Sequence, residues 1–188
     1  MKSNLPRKCE LSRKTRETEI SLALNIDGSG KVDISLPDEF LRHMIETLAK
    51  YSSFDLRLRA KGDIEHHLIE DVAIALGKAF REAIGDRPIK RVAHAVVPMD
   101  EALVMVSVDL IDRPYMEVHV PDLMYEHFFR SFTMESRATI HSHVVRGKDD
   151  HHIIEATFKA LGICLKDATR RREQVLSTKS DVEWKRKG

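Results

Sequence analysis

The chain has two cysteines, one tryptophan, six prolines and no long apolar run, and each shortage closes off a class of protein. Cys9 and Cys164 alone can build neither a disulfide framework nor a cysteine-based zinc site. No segment approaches the roughly 18 apolar residues of a membrane span, and the first residues lack an apolar signal core. Charge of one sign is also missing: 31 Lys and Arg oppose 30 Asp and Glu. That balance gives no electrostatic reason to hold nucleic acid or an anionic membrane. The basic run Lys185-Arg186-Lys187 is confined to the chain end and reads as a solvated tail. The expectation is a soluble, cytoplasmic protein with neither nucleic acid nor membrane as partner. At 188 residues it can bury a core as one domain or as two small fused halves.

Histidine, by contrast, is abundant, with ten residues. His-His-x-x-Glu occurs twice, at His66-His67-Leu68-Ile69-Glu70 and, 85 residues later, at His151-His152-Ile153-Ile154-Glu155. A lone histidine precedes each copy, His43 by 23 residues and His127 by 24. His119, His141 and His143 read as strand residues outside this pattern.

The flanking sequence repeats too. Residues 66–84 and 151–169 align without a gap, sharing His-His, Ile, Glu, Ala-Leu-Gly and a later Ala, with apolar positions at helical spacing. Each reads as a long amphipathic helix. Before them, Glu39–Lys50 and Asp122–Met134 read as helices, and Phe54–Ala60 and Thr139–Val145 as strands. Thr18–Ile26 and Lys31–Ser35 around Asp27-Gly28-Ser29-Gly30 carry a hairpin signal, as do Val92–Val97 and Leu103–Leu110 around Pro98-Met99-Asp100-Glu101. Each half is thus expected to be hairpin, helix, strand, helix, with residues 1–86 and 87–176 as the two halves and 177–188 as a C-terminal tail. The expected fold is α+β, an internal duplication in which two four-stranded sheets cover paired helices.

Residues three and four apart share a helix face, so Glu70 neighbours His66 and His67, and Glu155 neighbours His151 and His152. Adjacent histidines differ by about 100° around the axis, so the members of a pair suit different ions. Two lone histidines, four paired ones and two glutamates supply three imidazoles and one carboxylate to each of two ions. Nitrogen-rich ligation without thiolate suits Mn, Fe, Co, Ni or Zn, and octahedral preference favours Mn or Fe. The spacing is not the His-Glu-x-x-His of zinc proteases.

With Arg13-Lys14-Thr15-Arg16-Glu17-Thr18, Pro98-Met99-Asp100-Glu101-Ala102, Arg113-Pro114-Tyr115, His127-Phe128-Phe129 and Ser177-Thr178-Lys179 added to the double His-His motif, the chain resembles imidazoleglycerol-phosphate dehydratase, from about Arg13 to Lys179. The resemblance implies a ribosomal protein S5 domain 2-like fold and a homo-oligomer, a cubic particle of 24 subunits with sites between subunits. It implies two Mn ions per site, one on His66, His127, His151 and Glu155, the other on His43, His67, His152 and Glu70. Arg91, Arg113, Ser177 and Lys179 match a phosphate clamp, and Glu17 matches a residue near the substrate that moves protons or holds a hydroxyl. The chain departs from the family pattern at Arg42, where an Asp is usual, and around Ile64, Glu65 and Leu68.

The implied activity is a step of histidine biosynthesis, dehydration of imidazole-glycerol phosphate to imidazole-acetol phosphate. The metals would stabilise a substrate imidazolate, with Glu17, His67, Glu70, His152 and Glu155 carrying the chemistry. Two other readings compete: a non-catalytic assembly knit by metal, and a hydrolase using metal-bound hydroxide.

Overall fold

The computed structural model describes residues 6–174 and 176. Its first half runs β1 (Lys8–Lys14), β2 (Thr18–Asn25), β3 (Val32–Ser35), α1 (Glu39–Ser52), β4 (Asp55–Gly62) and α2 (Glu65–Ile84). Its second half repeats that order as β5 (Val92–Met99), β6 (Ala102–Asp109), β7 (Tyr115–Glu117), α3 (Leu123–Ser136), β8 (Thr139–Arg146) and α4 (Asp150–Ala168). The sheets have matching orders, β1-β2-β4-β3 and β5-β6-β8-β7, each with a parallel edge strand, β3 or β7. The expected α+β duplication is therefore observed.

Each half nevertheless holds one strand more than hairpin, helix, strand, helix. In the first half the hairpin itself is a different pair. β2 does not fold back on β3; it pairs antiparallel with β1, and β3 pairs parallel with β4. The Asp27–Gly30 turn carries the chain across the end of β4. The Asp55 carboxylate accepts the Ser29 and Lys31 N–H groups at 2.8 and 3.0 Å and seats the crossing. A Cβ at Gly28 would lie 2.5 Å from the Asp55 backbone nitrogen, so only glycine lets the loop pass so close. The second-half hairpin is β5–β6, as expected. His141 and His143 lie on β8, whereas His119 lies two residues past β7.

The four helices fill the space between the sheets. α2 packs on the first sheet and α4 on the second, α1 packs against α4, and α3 against α2. Each helix pair thus joins opposite halves of the chain. The repeated Ala-Leu-Gly makes this possible. A Cβ at Gly77 would lie 2.6 Å from the Phe132 carbonyl of α3, and one at Gly162 would lie 2.9 Å from the Leu48 carbonyl of α1. Without a side chain at these points the helices run side by side at close range, in parallel, bringing all four N-terminal ends to one side. Asp38, Asp122 and Asp149 cap α1, α3 and α4 through backbone N–H groups of Leu41, Met124 and His152. α2 has no side-chain cap. Phe80, Phe128, Phe129, Phe132 and Phe158 are fully buried between the layers, each contributing roughly 1.5–3 kcal/mol by burial. Among the described residues no helix is long and apolar enough to cross a membrane.

Candidate metal centre

The parallel helix pairs set a lone histidine from one half beside a His-His helix from the other. On the α1–α4 pair, His151 Nε2 lies 3.0 Å and His43 Nε2 3.3 Å from Glu155 Oε2. Ligand atoms of these three residues all lie within 4.8 Å of one another. On the α2–α3 pair, the rings of His66 and His127 are 5.2 Å apart, and His66 Nε2 is 3.7 Å from Glu70 Oε2. Each cluster therefore takes its lone histidine from one half and its histidine and glutamate from the other, which explains why the motif has to be duplicated.

Glu155 is buried beneath its cluster. Burial would raise its carboxyl, but Lys159 Nζ at 2.8 Å and the two imidazoles outweigh that and hold it below the usual carboxylate range.

The second histidine of each pair turns away around the helix, as the 100° step requires. His67 Nδ1 bonds Asp63 at 2.8 Å and lies 3.7 Å from Glu17. His152 Nδ1 bonds Glu101 at 2.7 Å, with Asp100 at 3.5 Å from its other nitrogen. These hydrogen bonds raise both imidazoles above their ordinary value. Glu101 also accepts the N–H groups of Asp149 and Lys148, which with His152 pull its carboxyl down to about 2. In both cases a carboxylate holds Nδ1, which fixes the ring and turns Nε2 outward, the usual way of orienting a metal-binding imidazole.

Asp63 and Lys159 are the residues that sequence reasoning passed over. Lys159 carried a signal, since it stands four residues after Glu155. Asp63 had none beyond standing four residues before His67. Asp71 is a third: its carboxylate takes Arg13 at 2.8 Å and the Thr18 hydroxyl, tying the first turns of α2 to the β1–β2 turn that carries Glu17. Arg42, the departure next to His43, pairs with Glu39 and Glu46 on its own helix and leaves the cluster untouched.

Within one chain the implied division of ligands is not assembled. His43 meets His151 and Glu155 rather than His67, His152 and Glu70, and His127 meets His66. The expected clamp lies elsewhere. Arg91 donates its N–H to the Ala168 carbonyl at the far end of α4. The stretch of α4 from His151 to Ala168 therefore separates it from His151 by about 25 Å. Its guanidinium is engaged, with Nε 2.7 Å from Asp109 and Nη1 on the Leu176 carbonyl. Arg113 is exposed, and its guanidinium has no partner among the described residues. Ser177 and Lys179 lie outside the described residues. Glu17 stands exposed beside His67.

A family model described as imidazoleglycerol-phosphate dehydratase matches residues 37–165. Among curated proteins of that name, one from Acetivibrio thermocellus is 47% identical, the alignment covering 93% of this chain and 98% of the relative. One from Dictyoglomus thermophilum is 42% identical over 94% of this chain and 99% of the relative. Two solved structures are similar at a TM-score of 0.80 each. The Pyrococcus furiosus enzyme in complex with (S)-C348 is 38% identical over 89% of this chain and 98% of its own. The Staphylococcus aureus enzyme is 30% identical over 88% and 99%.

Proposed function

Since this chain belongs to the imidazoleglycerol-phosphate dehydratase family, which are hydro-lyases of histidine biosynthesis, we propose that it dehydrates imidazole-glycerol phosphate to imidazole-acetol phosphate at a two-metal site built between copies of the chain. The single observation that carries the metal reading is the convergence of His43, His151 and Glu155 within 4.8 Å, drawn from both halves. Two imidazoles and a carboxylate at that spacing fit Mn or a similar divalent transition metal. His66, His127 and Glu70 would hold a second ion, with His67 and His152 presented through their Nε2 atoms to complete the coordination. When bound, the ions would supply Lewis-acid stabilisation for negative charge developing on the substrate's imidazole ring.

The chain's own residues supply the rest. No carbonyl activates the carbon that must lose its proton, so the ring is the only electron sink and the substrate has to be held in register with it. Arg113 is free to meet the phosphate as a planar fork, and Arg91 stands at the same end of the second sheet, on its other edge. That remote binding energy orients the glycerol chain. Glu17, exposed beside His67, would move a proton between the departing hydroxyl and the neighbouring carbon. The distance of about 25 Å between Arg91 and His151 along α4 supports a site to which one copy brings the clamp and another the histidines. We place this enzyme in the cytoplasm as a homo-oligomer of the 24-subunit kind.

The test is to incubate the Mn-loaded protein with imidazole-glycerol phosphate and follow the ketone product. Ketone with stoichiometric water loss is expected. Release of inorganic phosphate instead would make it a hydrolase, and an intact particle without product would make it a metal-stabilised assembly.

A further inference from the structure

The two hairpins present a glutamate at matching places, and the two glutamates are used differently. Glu17 is the last residue before β2, and Glu101 the last before β6. Glu101 is engaged, on His152 Nδ1 and on the N–H groups of Lys148 and Asp149. In the first half Asp63 has taken His67 Nδ1, at 2.8 Å, and Glu17 stands off at 3.7 Å. The Glu17 side chain is 54% exposed, and its carboxylate accepts no hydrogen bond among the described residues. Its backbone, by contrast, is tied on both sides. The Glu17 carbonyl accepts the Asp63 N–H at 3.0 Å, and the Glu17 N–H donates to the Thr15 hydroxyl at 3.1 Å. That hydroxyl oxygen also accepts the Thr18 N–H at 2.9 Å. The buried Thr18 side chain gives its one proton to Asp71, so the Thr15 hydroxyl, 3.2 Å away, must donate to Thr18. Asp71, buried on α2 one turn after His67, accepts Arg13 of β1 on its other oxygen at 2.8 Å.

We propose that Asp71 is a positioning residue for Glu17: through Thr18 and Arg13 it seats the β1–β2 turn on α2 and sets the open Glu17 carboxylate beside the His67 ring. The inference rests on the reading above that Glu17 moves a proton during dehydration. A tie that served only to join helix to sheet would be needed in both halves, because each half packs its long helix on its own sheet. It is present in one. The residue that matches Asp71 after the second His-His pair is Ala156, and the first residue of β6, where β2 has Thr18, is Ala102. The carboxylate, hydroxyl and arginine thus occur where the hairpin glutamate is open. They are missing where the glutamate holds its own turn in place through His152, Lys148 and Asp149. A group that must meet a substrate proton loses rate steeply when displaced by about 1 Å, and an exposed side chain keeps its place only if the turn beneath it does.

The test is a double-substitution cycle in the full-length, Mn-loaded protein: Asp71→Asn, Thr18→Val and Glu17→Gln alone, and each of the first two combined with Glu17→Gln. Expected for Asp71→Asn and Thr18→Val is a kcat lowered about tenfold or more, with KM and the Mn affinity read by titration calorimetry unchanged. Amide exchange at Glu17 and Thr18 becomes faster in both. Thr18→Ser, which keeps the hydroxyl, restores most of the rate that Thr18→Val loses. In the Glu17→Gln background neither substitution lowers kcat further, because no carboxylate is left to place. Glu19→Gln breaks an exposed pair with Lys14 at 3.3 Å on the same hairpin and, as the control, keeps the kcat of the unaltered protein. Should Asp71→Asn fail to fold, Thr18→Val decides. Losses that multiply with that of Glu17→Gln, or a loss of Mn affinity that accounts for the fall in rate, overturn the proposal and leave the dehydratase reading intact. So does a Glu17→Gln protein that turns over at the unaltered rate. An unaltered chain that forms no ketone sinks the dehydratase reading and takes this proposal with it.

Discussion

The two histidine clusters are built from the same pentapeptide and end up in different states. The side chain of Glu155 is 9% exposed and drawn onto Lys159, His151 and His43; that of Glu70 is 43% exposed and stands 3.7 Å from His66. One substitution in the repeat explains most of this. Four residues after Glu155 stands Lys159, and at the matching place after Glu70 stands Ile74. In the first half the cation is Arg13, and it reaches Asp71, one residue beyond the ligand. A positive partner placed on the ligand closes the cluster in the free chain; one placed beside it anchors the helix and leaves the ligand open. Duplication preserves the spacing of the proposed ligands, while the counter-charge decides how far each copy is organised in the free chain.

The largest effects come from the ligands themselves. Glu155→Ala and His66→Ala should each abolish ketone formation, one from each cluster. A purified variant that turns over at the rate of the unaltered protein would remove its cluster from the site. Manganese titration sharpens the contrast: in dilute protein the closed His43–His151–Glu155 cluster should fill before the open one. Filling in the reverse order would mean that Lys159 opposes the cation more than it organises the ligand.

Next come the helix contacts that bring the clusters together. Gly77→Ala and Gly162→Ala each force a methyl against a backbone carbonyl of the neighbouring helix, and each should cost about 1–3 kcal/mol in urea unfolding. The approach at Gly77, 2.6 Å, is tighter than that at Gly162, 2.9 Å, so Gly77→Ala should be the worse. Equal stability to the unaltered chain would show that the helices can separate freely.

The positioning carboxylates differ between halves as well. Asp63 comes from the strand–helix turn and bonds His67; Glu101 comes from the hairpin turn and bonds His152, Lys148 and Asp149. Asp63→Ala and Glu101→Ala should each weaken Mn binding by about 10–100-fold, measured by titration calorimetry. Glu101→Ala should be the more severe, because it also frees the start of α4. An unaltered affinity in both would deny the carboxylates any hold on the rings.

These contrasts mark where the sequence is readable. The pairing of His66 with Glu70 and of His151 with Glu155 is legible because helical spacing is local: a histidine and a glutamate four apart must share a face. The halves are legible because both copies keep Ala-Leu-Gly at the same distance from His-His. Strand partnership is not local, and there the reading fails. Asp27-Gly28-Ser29-Gly30 announces a turn but not what lies beyond it, and the partner turns out to be β4 across a crossing. β1 hides because its inward side reads Cys9, Leu11 and Arg13, an arginine spoiling the alternation in order to reach Asp71. β7 is three residues long, too short to show a period. The distance between Arg91 and the histidines is likewise invisible in sequence, since it depends on which end of α4 each occupies.

The smallest expected effect tests whether the two halves are clipped together symmetrically. After each hairpin an aspartate accepts an arginine from its own half and one from the end of the other half's long helix or just beyond it. Asp27 takes Arg7 at 2.6 Å and Arg171 at 2.7 Å; Asp112 takes Arg137 at 2.7 Å and Arg81 at 3.1 Å. Burial would raise both carboxyls, but the arginine bonds prevail and hold both below the usual range. A carboxyl depressed by folding stabilises the native state above its unfolded value of about 4 and loses that contribution as pH falls below it. Melting temperature should therefore fall on acidification, and Asp27→Asn should flatten part of that dependence. The Arg7 side chain is 5% exposed, whereas Asp112 is 52% exposed and well screened, so the two clips are not equal. Asp27→Asn should cost about 1 kcal/mol at neutral pH and Asp112→Asn less. Equal costs, or a greater one at Asp112, would mean that burial of the arginine does not set the strength of the clip.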